Sequence, residues 1–299
     1  MSSSTGPDNG LPVRMPRPRQ SGRHRRPEPV VAPDGAPALV LAVPGAPSGA
    51  VRSLAEEILS IARSELPGMD ARIGYVDGQD EEFPALENVL AQIAAERAAA
   101  GVDAEQSPAA IVIPLLAGPD AALMRRVRQA VLNSGSGAEL TDVLGPHPLL
   151  AEGVHVRLSE AGLARADRAR LFTVATAADG IILATVGGEE AVQVAGITGM
   201  LLAARLAVPV LAAPLDEEGA IARTAEQLTS SGSQHLALAP CLIGPEVPEG
   251  LLASAAQEAG CQTAEPLGAY PAIGKLVASA YGAKAGIAGP GQQQGAVLR

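Results

Sequence analysis

The chain has no tryptophan, two phenylalanines and three tyrosines in 299 residues, so any core must be built from Ala, Val, Leu and Ile. Side chains of that size suit closely packed α/β layers better than a β-sandwich organised around aromatic corners. Cysteine is nearly missing too. Cys241 and Cys261 form no C-x-x-C and no paired metal spacing, which excludes a zinc knuckle and a disulfide framework and fits a reducing compartment. Positive charge is in short supply, with 22 basic against 32 acidic side chains and a net charge of -10, and this opposes a nucleic-acid or acidic-membrane footprint. The one stretch resembling a membrane span, Val192 to Leu215, carries Arg205 in its middle and is broken by Pro209, so it reads as a buried helix followed by a strand. The opening Met1-Ser2-Ser3-Ser4 lacks an apolar targeting region. The expectation is a cytoplasmic protein that binds neither nucleic acid nor membrane.

What is present is a regular alternation. Ala38 to Val43 is a continuous apolar run, and Val51, Leu54, Ile58 and Ile61 then recur at helical spacing with Glu56, Glu57 and Arg63 on other faces. Strand and helix signals alternate in the same way through Ala71 to Val76, Pro84 to Ala100, Ala109 to Pro114, Ala121 to Leu132, Glu139 to Leu144 and Pro148 to Ala161. A second series starts at Gly180. Apolar strands alternating with amphipathic helices predict parallel sheets covered on both faces.

The second series repeats the first. Pro114-Leu115-Leu116-Ala117-Gly118-Pro119-Asp120 returns 126 residues later as Pro240-Cys241-Leu242-Ile243-Gly244-Pro245-Glu246, and Leu144-Gly145-Pro146-His147-Pro148 returns as Leu267-Gly268-Ala269-Tyr270-Pro271. The first strand and helix, Ala38 to Arg63, align more loosely with Gly180 to Arg205 at an offset of 142. Two copies of one α/β unit follow, each with a four-stranded parallel sheet and helices on both faces. The predicted organisation is a first lobe over 37–161, a linker over 162–178 and a second lobe over 179–283. The flanks, 1–36 and 284–299, read as disordered tails. The first of them is basic, with Arg14, Arg17, Arg19, Arg23, Arg25 and Arg26 against Asp8, Glu28 and Asp34.

Ligands of open parallel sheets bind beyond the carboxyl ends of the strands, which directs attention to four turns. Two open helices through glycines, Pro44-Gly45-Ala46-Pro47-Ser48-Gly49 and Val186-Gly187-Gly188-Glu189, where free backbone N–H groups can hold a carboxylate or phosphate or the glycines can simply make tight turns. The other two, Gly118-Pro119-Asp120 and Gly244-Pro245-Glu246, place an acid after Gly-Pro at equivalent points of the repeat. Each acid can cap or complement its helix N-terminus, a role compatible with touching a ligand. His147 follows the fourth strand of the first unit, and its counterpart is Tyr270, so a flat polar ring against the turn is an alternative to a catalytic imidazole. His155 reads as a helix-surface residue. Arg125, Arg126 and Arg128 form a cationic patch suited to a polycarboxylate or to solvent.

The ordered set of a strand ending in a Gly turn, Ile113-Pro114-Leu115-Leu116 leading to a Gly-x-polar turn, and Leu144-Gly145-Pro146-His147-Pro148-Leu149-Leu150 leading a helix resembles the CbiX-type sirohydrochlorin chelatases in their long form, with two tandem lobes. The resemblance covers about residues 38–282, and Val76-Asp77 with Pro84-Ala85-Leu86 suits that family's second strand and helix. It implies insertion of a divalent metal, cobalt or iron, as substrate into a sirohydrochlorin-type macrocycle held in the cleft between lobes, with no organic cofactor. The family carries a histidine in the first turn and another in the turn after the third strand. Here those positions read Pro44-Gly45 and Asp120, and in the second lobe Val186 or Gly187 and Glu246. Imidazole can both ligate a divalent ion and take a pyrrole proton near neutral pH, whereas proline can do neither. Two expectations follow. One is a chelatase with a rearranged site in which Asp120, Glu246 and His147 are catalytic, Asp120 and Glu246 hold the metal, and Pro44, Gly45, Ser48, Gly118, Gly187, Gly188, Gly244 and Arg126 contact the tetrapyrrole. The other is an inactive chelatase-fold protein that binds a tetrapyrrole or a protein partner.

Overall fold

The computed structural model describes residues 30–101, 107–164, 177–244, 246–248 and 250–287. In chain order the first unit comprises β1 (Ala38–Val43), α1 (Gly49–Glu65), β2 (Ala71–Tyr75), α2 (Leu86–Ala99), β3 (Ala110–Pro114), α3 (Ala121–Asn133), β4 (Glu139–Leu140) and α4 (Pro148–Glu160). The second repeats the sequence as β5 (Gly180–Thr185), α5 (Gly188–Leu206), β6 (Val210–Pro214), α6 (Ala220–Ser230), β7 (Leu236–Pro240), α7 (Leu251–Glu258), β8 (Gln262–Thr263) and α8 (Pro271–Lys284). The sheets have strand orders β2-β1-β3-β4 and β6-β5-β7-β8, and every pairing is parallel. The architecture is α/β with two tandem parallel four-stranded lobes. The fourth strand of the first unit is shorter than the expected Glu139 to Leu144, because only Glu139 and Leu140 pair with β3, and β8 is equally short.

Side chains alternate across each strand, and that alternation divides the core into three. Leu39, Leu41 and Val43 of β1, Ile111 and Ile113 of β3, and Ile181 and Leu183 of β5 all face one continuous core lying between the two sheets. Val40, Ala42 and Val112 face α2 and α3 on the outer side of the first sheet, while Ile182, Ala184 and Leu238 face α6 and α7 on the outer side of the second. The helices of the shared layer interlock, with α1 against α8, α4 against α5, and α4 against α8. A methyl group on Gly274 of α8 would lie 2.5 Å from Ile61 Cβ and 3.0 Å from the Ile58 carbonyl oxygen, so the α1–α8 approach depends on glycine. Between lobes, Arg157 donates to the Leu267 carbonyl at 2.7 and 3.2 Å, Arg205 Nε donates to His155 Nδ1 at 2.9 Å, and Tyr281 donates from its buried hydroxyl to the Pro37 carbonyl at 2.7 Å.

Three expectations change. His155 is 4% exposed between α4 and α5 rather than on a helix surface, because that side of α4 is covered by the second lobe. The folded part begins before residue 37, since Ala32 is buried and its N–H donates to the Pro67 carbonyl, and Arg97 binds the carbonyls of Gly35 and Ala36. The rest of the N-terminal flank, 1–29, lies outside the described residues, as do 165–176 of the linker and 288–299. Finally, the strands of the repeat align at an offset of 142 but the helices do not. The buried positions Ala55, Ile58, Leu59 and Ala62 of α1 match Ala195, Thr198, Gly199 and Leu202 of α5, an offset of 140. Counted between matching buried positions, the connection from strand to helix is two residues shorter in the second lobe. Among the described residues, no helix is long and apolar enough to cross a membrane.

Candidate functional site

Three of the four turns singled out by the sequence, those after β3, β5 and β7, come close to one another where the lobes meet. Gly187, with φ 110°, lies so close to the Pro119 carbonyl and to Asp120 Cα (3.1 Å from an added Cβ) that only glycine fits. This brings the turn after β5 onto the turn after β3. The reciprocal approach is looser, with a Cβ on Gly244 reaching Leu54 of α1 at 4.0 Å and Pro266 at 3.9 Å. Asp120 and Glu246 stand near enough for the charge of one to act on the carboxyl of the other.

Each acid is engaged by its own turn. Asp120 Oδ1 accepts the Leu123 N–H at 2.8 Å and caps α3. Glu246 accepts the Ile243 N–H at 2.6 Å and the Gly244 N–H at 2.8 Å, so both carboxylate oxygens fold back on the turn that carries them. Although the Glu246 residue as a whole is only half-buried, its carboxyl end is closely packed. That burial raises its pKa against the opposing pull of the backbone amides, and the charge of Asp120 adds a smaller upward push. Cys241, buried one turn away, has its thiol pushed up to about 12 by burial first and by Glu246 second.

The remaining sequence-derived residues divide by what they touch. Ser48 caps α1, its hydroxyl accepting the Val51 N–H at 3.3 Å, while Pro44 and Gly45 (φ 83°) make the turn before it. Gly187 is the N-cap of α5 without a side-chain cap, and its own N–H donates to Asp216 Oδ2 at 3.1 Å. Gly118 and Gly188 have open space where a side chain would be. His147 caps α4, with Nδ1 accepting the Leu149 N–H at 3.1 Å, and its turn backs onto the Ala117 carbonyl through Gly145. Arg126 is ion-paired with Asp77 in the turn after β2. Gly187 of the second lobe and the two acids are therefore brought together, whereas Ser48, His147 and Arg126 are engaged by partners in their own lobe.

Three features at this edge were not singled out by the sequence. Asp77 takes up Arg126, and Asp216 after β6 holds Gly187. Tyr75 and Phe83 meet edge to face at 5.3 Å, with Arg52 5.6 Å above the Phe83 ring and paired with Glu82 at 2.8 Å. The signal was available for the last, since two of only five aromatic residues lie eight positions apart. Among the described residues no group of three His, Cys, Asp or Glu side chains is placed to hold a metal ion.

The fold and these turns define a two-lobed α/β protein whose duplicated strand-end turns converge between the lobes. No family model and no curated protein matches the chain. Among solved structures it is similar to a periplasmic ribose ABC transporter from Conexibacter woesei DSM 14684, at 14% identity over 68% of this chain and 64% of that one with a TM-score of 0.31, so it spans less than two thirds of that protein. It is also similar to a conserved domain protein from Vibrio cholerae O1 biovar El Tor (12% identity, 84% of each chain, TM-score 0.33) and to a substrate binding protein with adhesive properties from Clostridium difficile (12%, 84% of each, 0.30). Likenesses at these TM-scores say nothing of what the chain binds.

Proposed function

We propose that the chain is a chelatase-fold protein that holds a sirohydrochlorin-type tetrapyrrole at the convergent turns without inserting metal into it. The observation that carries this reading is the engagement of both acids by their own turns. Asp120 spends an oxygen on a helix cap and Glu246 spends both oxygens on backbone amides. Delivering a divalent ion to a macrocycle takes about two or three protein donors that can exchange, and a packed carboxyl drawn toward its neutral form is a poor one. Proline at position 44 adds none. Tetrapyrrole binding rests on the family resemblance, and two features suit an acidic macrocycle. Arg52, paired with the exposed Glu82 and lying over the Phe83 ring, and Arg126, paired with Asp77, stand at the same edge, where a ligand carboxylate could compete for either guanidinium.

The test is titration of the protein into metal-free sirohydrochlorin in the Soret region, followed by cobalt incorporation beside a no-protein control. A saturable spectral shift with incorporation no faster than the control is expected. Pro44→His together with Asp120→His should raise both cobalt affinity and the insertion rate. No spectral shift at all overturns the tetrapyrrole reading. Rapid wild-type insertion abolished by Asp120→Ala overturns the inactive reading in favour of a rearranged chelatase that uses Asp120, Glu246 and His147.

A further inference from the structure

A buried hydroxyl in the shared core has no partner. Tyr75 closes β2 and is only 2% exposed, yet its hydroxyl makes no hydrogen bond. A buried phenol ordinarily finds an acceptor, and where it has none a phenylalanine would pack as well. The internal duplication shows that the fold does not need this residue. In the register of the first sheet Tyr75 stands beside Val43, and the residue beside Thr185 in the second is Pro214. Around the hydroxyl the first lobe has features that the second lacks. The connection after β2 runs from 76 to 85, against 215 to 219 after β6. It folds back on its own base, with the Tyr75 N–H donating to the Pro84 carbonyl at 2.9 Å, the Gly78 N–H to the Tyr75 carbonyl at 3.3 Å, and the Phe83 N–H to Asp80 at 2.8 Å. Phe83 thereby meets the Tyr75 ring edge to face, and Arg52 of α1 lies 5.6 Å over Phe83. The residue matching Arg52 on α5, at the offset of 140, is Val192.

We propose that Arg52 and the Tyr75 hydroxyl together bind one carboxylate of a ligand, in a place that the Glu82 side chain now fills in part. Arg52 donates once, from Nη1 to Glu82 Oε1 at 2.8 Å, and the Glu82 side chain is 57% exposed, so little besides this one ion pair holds it there. The planar guanidinium has further N–H groups for a second carboxylate oxygen. The charged groups within electrostatic reach of the hydroxyl are Arg52, Glu56 and Glu82, and none of them accepts its hydrogen bond. A ligand carboxylate in place of Glu82 supplies that acceptor once the Phe83 end of the loop lifts. Charge sets the class of ligand. With Glu82 displaced, Arg52 and Glu56 balance, so the place suits a monoanion and opposes a phosphate dianion. That the carboxylate belongs to a side arm of a tetrapyrrole rests on the function proposed above, whereas the subsite itself does not.

The test uses the full chain labelled with fluorotyrosine, whose three tyrosine resonances are assigned by replacing each with phenylalanine in turn. Acetate over about 1 to 100 mM, the range expected of one small contact, should move the Tyr75 resonance saturably, and sodium chloride at matched ionic strength should not. Tyr270 and Tyr281 already donate, to Glu152 and to the Pro37 carbonyl, and should not respond. Glu82→Gln should lower the acetate midpoint at least about threefold, and Arg52→Met should abolish the shift. Tyr75→Phe should leave the urea midpoint unchanged or raised, because it removes a hydroxyl with no bond to lose. Sirohydrochlorin should displace acetate. The subsite is overturned by a lack of saturation in both wild type and Glu82→Gln, by a shift that survives Arg52→Met, by phosphate acting as well as acetate, or by a lower urea midpoint in Tyr75→Phe. Each of those results leaves a Soret-region shift free to uphold tetrapyrrole binding. Acetate saturation with no Soret shift upholds the subsite and overturns its assignment to a tetrapyrrole arm together with the reading above. Soret-region binding that leaves acetate in place overturns that assignment alone.

Discussion

The turn after β3 and the turn after β7 descend from one pattern, Pro-x-Leu-x-Gly-Pro-acid, yet their acids act differently. Asp120 reaches forward to the Leu123 N–H and starts α3, whereas Glu246, one methylene longer, bends back onto Ile243 and Gly244 and leaves α7 to begin at an uncapped Gly250. The same divergence recurs across the molecule. Positions buried between the lobes stay buried in both copies even where Ile58 and Leu59 become Thr198 and Gly199, and the outward faces drift in polarity, as Glu57 and Ser60 against Ile197 and Met200 illustrate. Burial of the shared face constrains shape at every position, while an outward face answers only to whatever lies outside it.

The comparison can be broken most forcefully at the shared layer. Gly274→Val would drive a branched side chain into Ile61 and the Ile58 carbonyl, and it should cost about 3 kcal/mol of overpacking. Because one core serves both sheets, the loss should appear as a lower midpoint of a single urea transition and not as separate melting of the second lobe. Tyr281→Phe removes the hydroxyl that ties α8 to Pro37 of the other lobe and leaves a buried carbonyl unpaired, for about 1 to 2 kcal/mol by the same measurement.

The acids sharpen the comparison. Asp120→Ala should cost about 1 kcal/mol as a lost helix cap. For Glu246 the informative quantity is pH dependence. Its folded pKa lies above the ordinary value, so the folded state holds that proton more tightly than the unfolded chain. The resulting stability is complete below the ordinary carboxylate pKa and is lost as pH rises through the folded value. Wild type should therefore gain stability relative to Glu246→Gln as pH falls from about 7 to about 4, and a flat difference would refute the raised pKa. The smallest effect belongs to Arg126→Ala. Its pair with Asp77 is exposed on both sides, so unfolding should change by less than about 0.5 kcal/mol. Tetrapyrrole affinity should drop clearly in the same variant if the proposed binding edge is correct.

Much of this was legible in the chain itself. Uninterrupted apolar strands such as Ala38–Val43 and helices with apolar residues three and four apart fix parallel sheets covered on both sides, because each pattern buries its apolar atoms in only one local conformation. The duplicated Gly-Pro-acid turns fixed two lobes, and Asp120 before Ala121-Ala122-Leu123 fixed a helix cap. Only the tertiary structure decided which helix faces meet across the lobes. It buried His155 against Arg205, moved the start of the folded chain back to include Ala32, and shortened the second lobe's first strand-to-helix connection by two residues between matching buried positions, which turned Ile197 and Met200 outward. It also decided that Glu246 would bind its own backbone and not open toward Asp120. Periodicity specifies what a segment buries but not against what, and a carboxylate's partner depends on how its turn closes, which is set by contacts far away in the sequence.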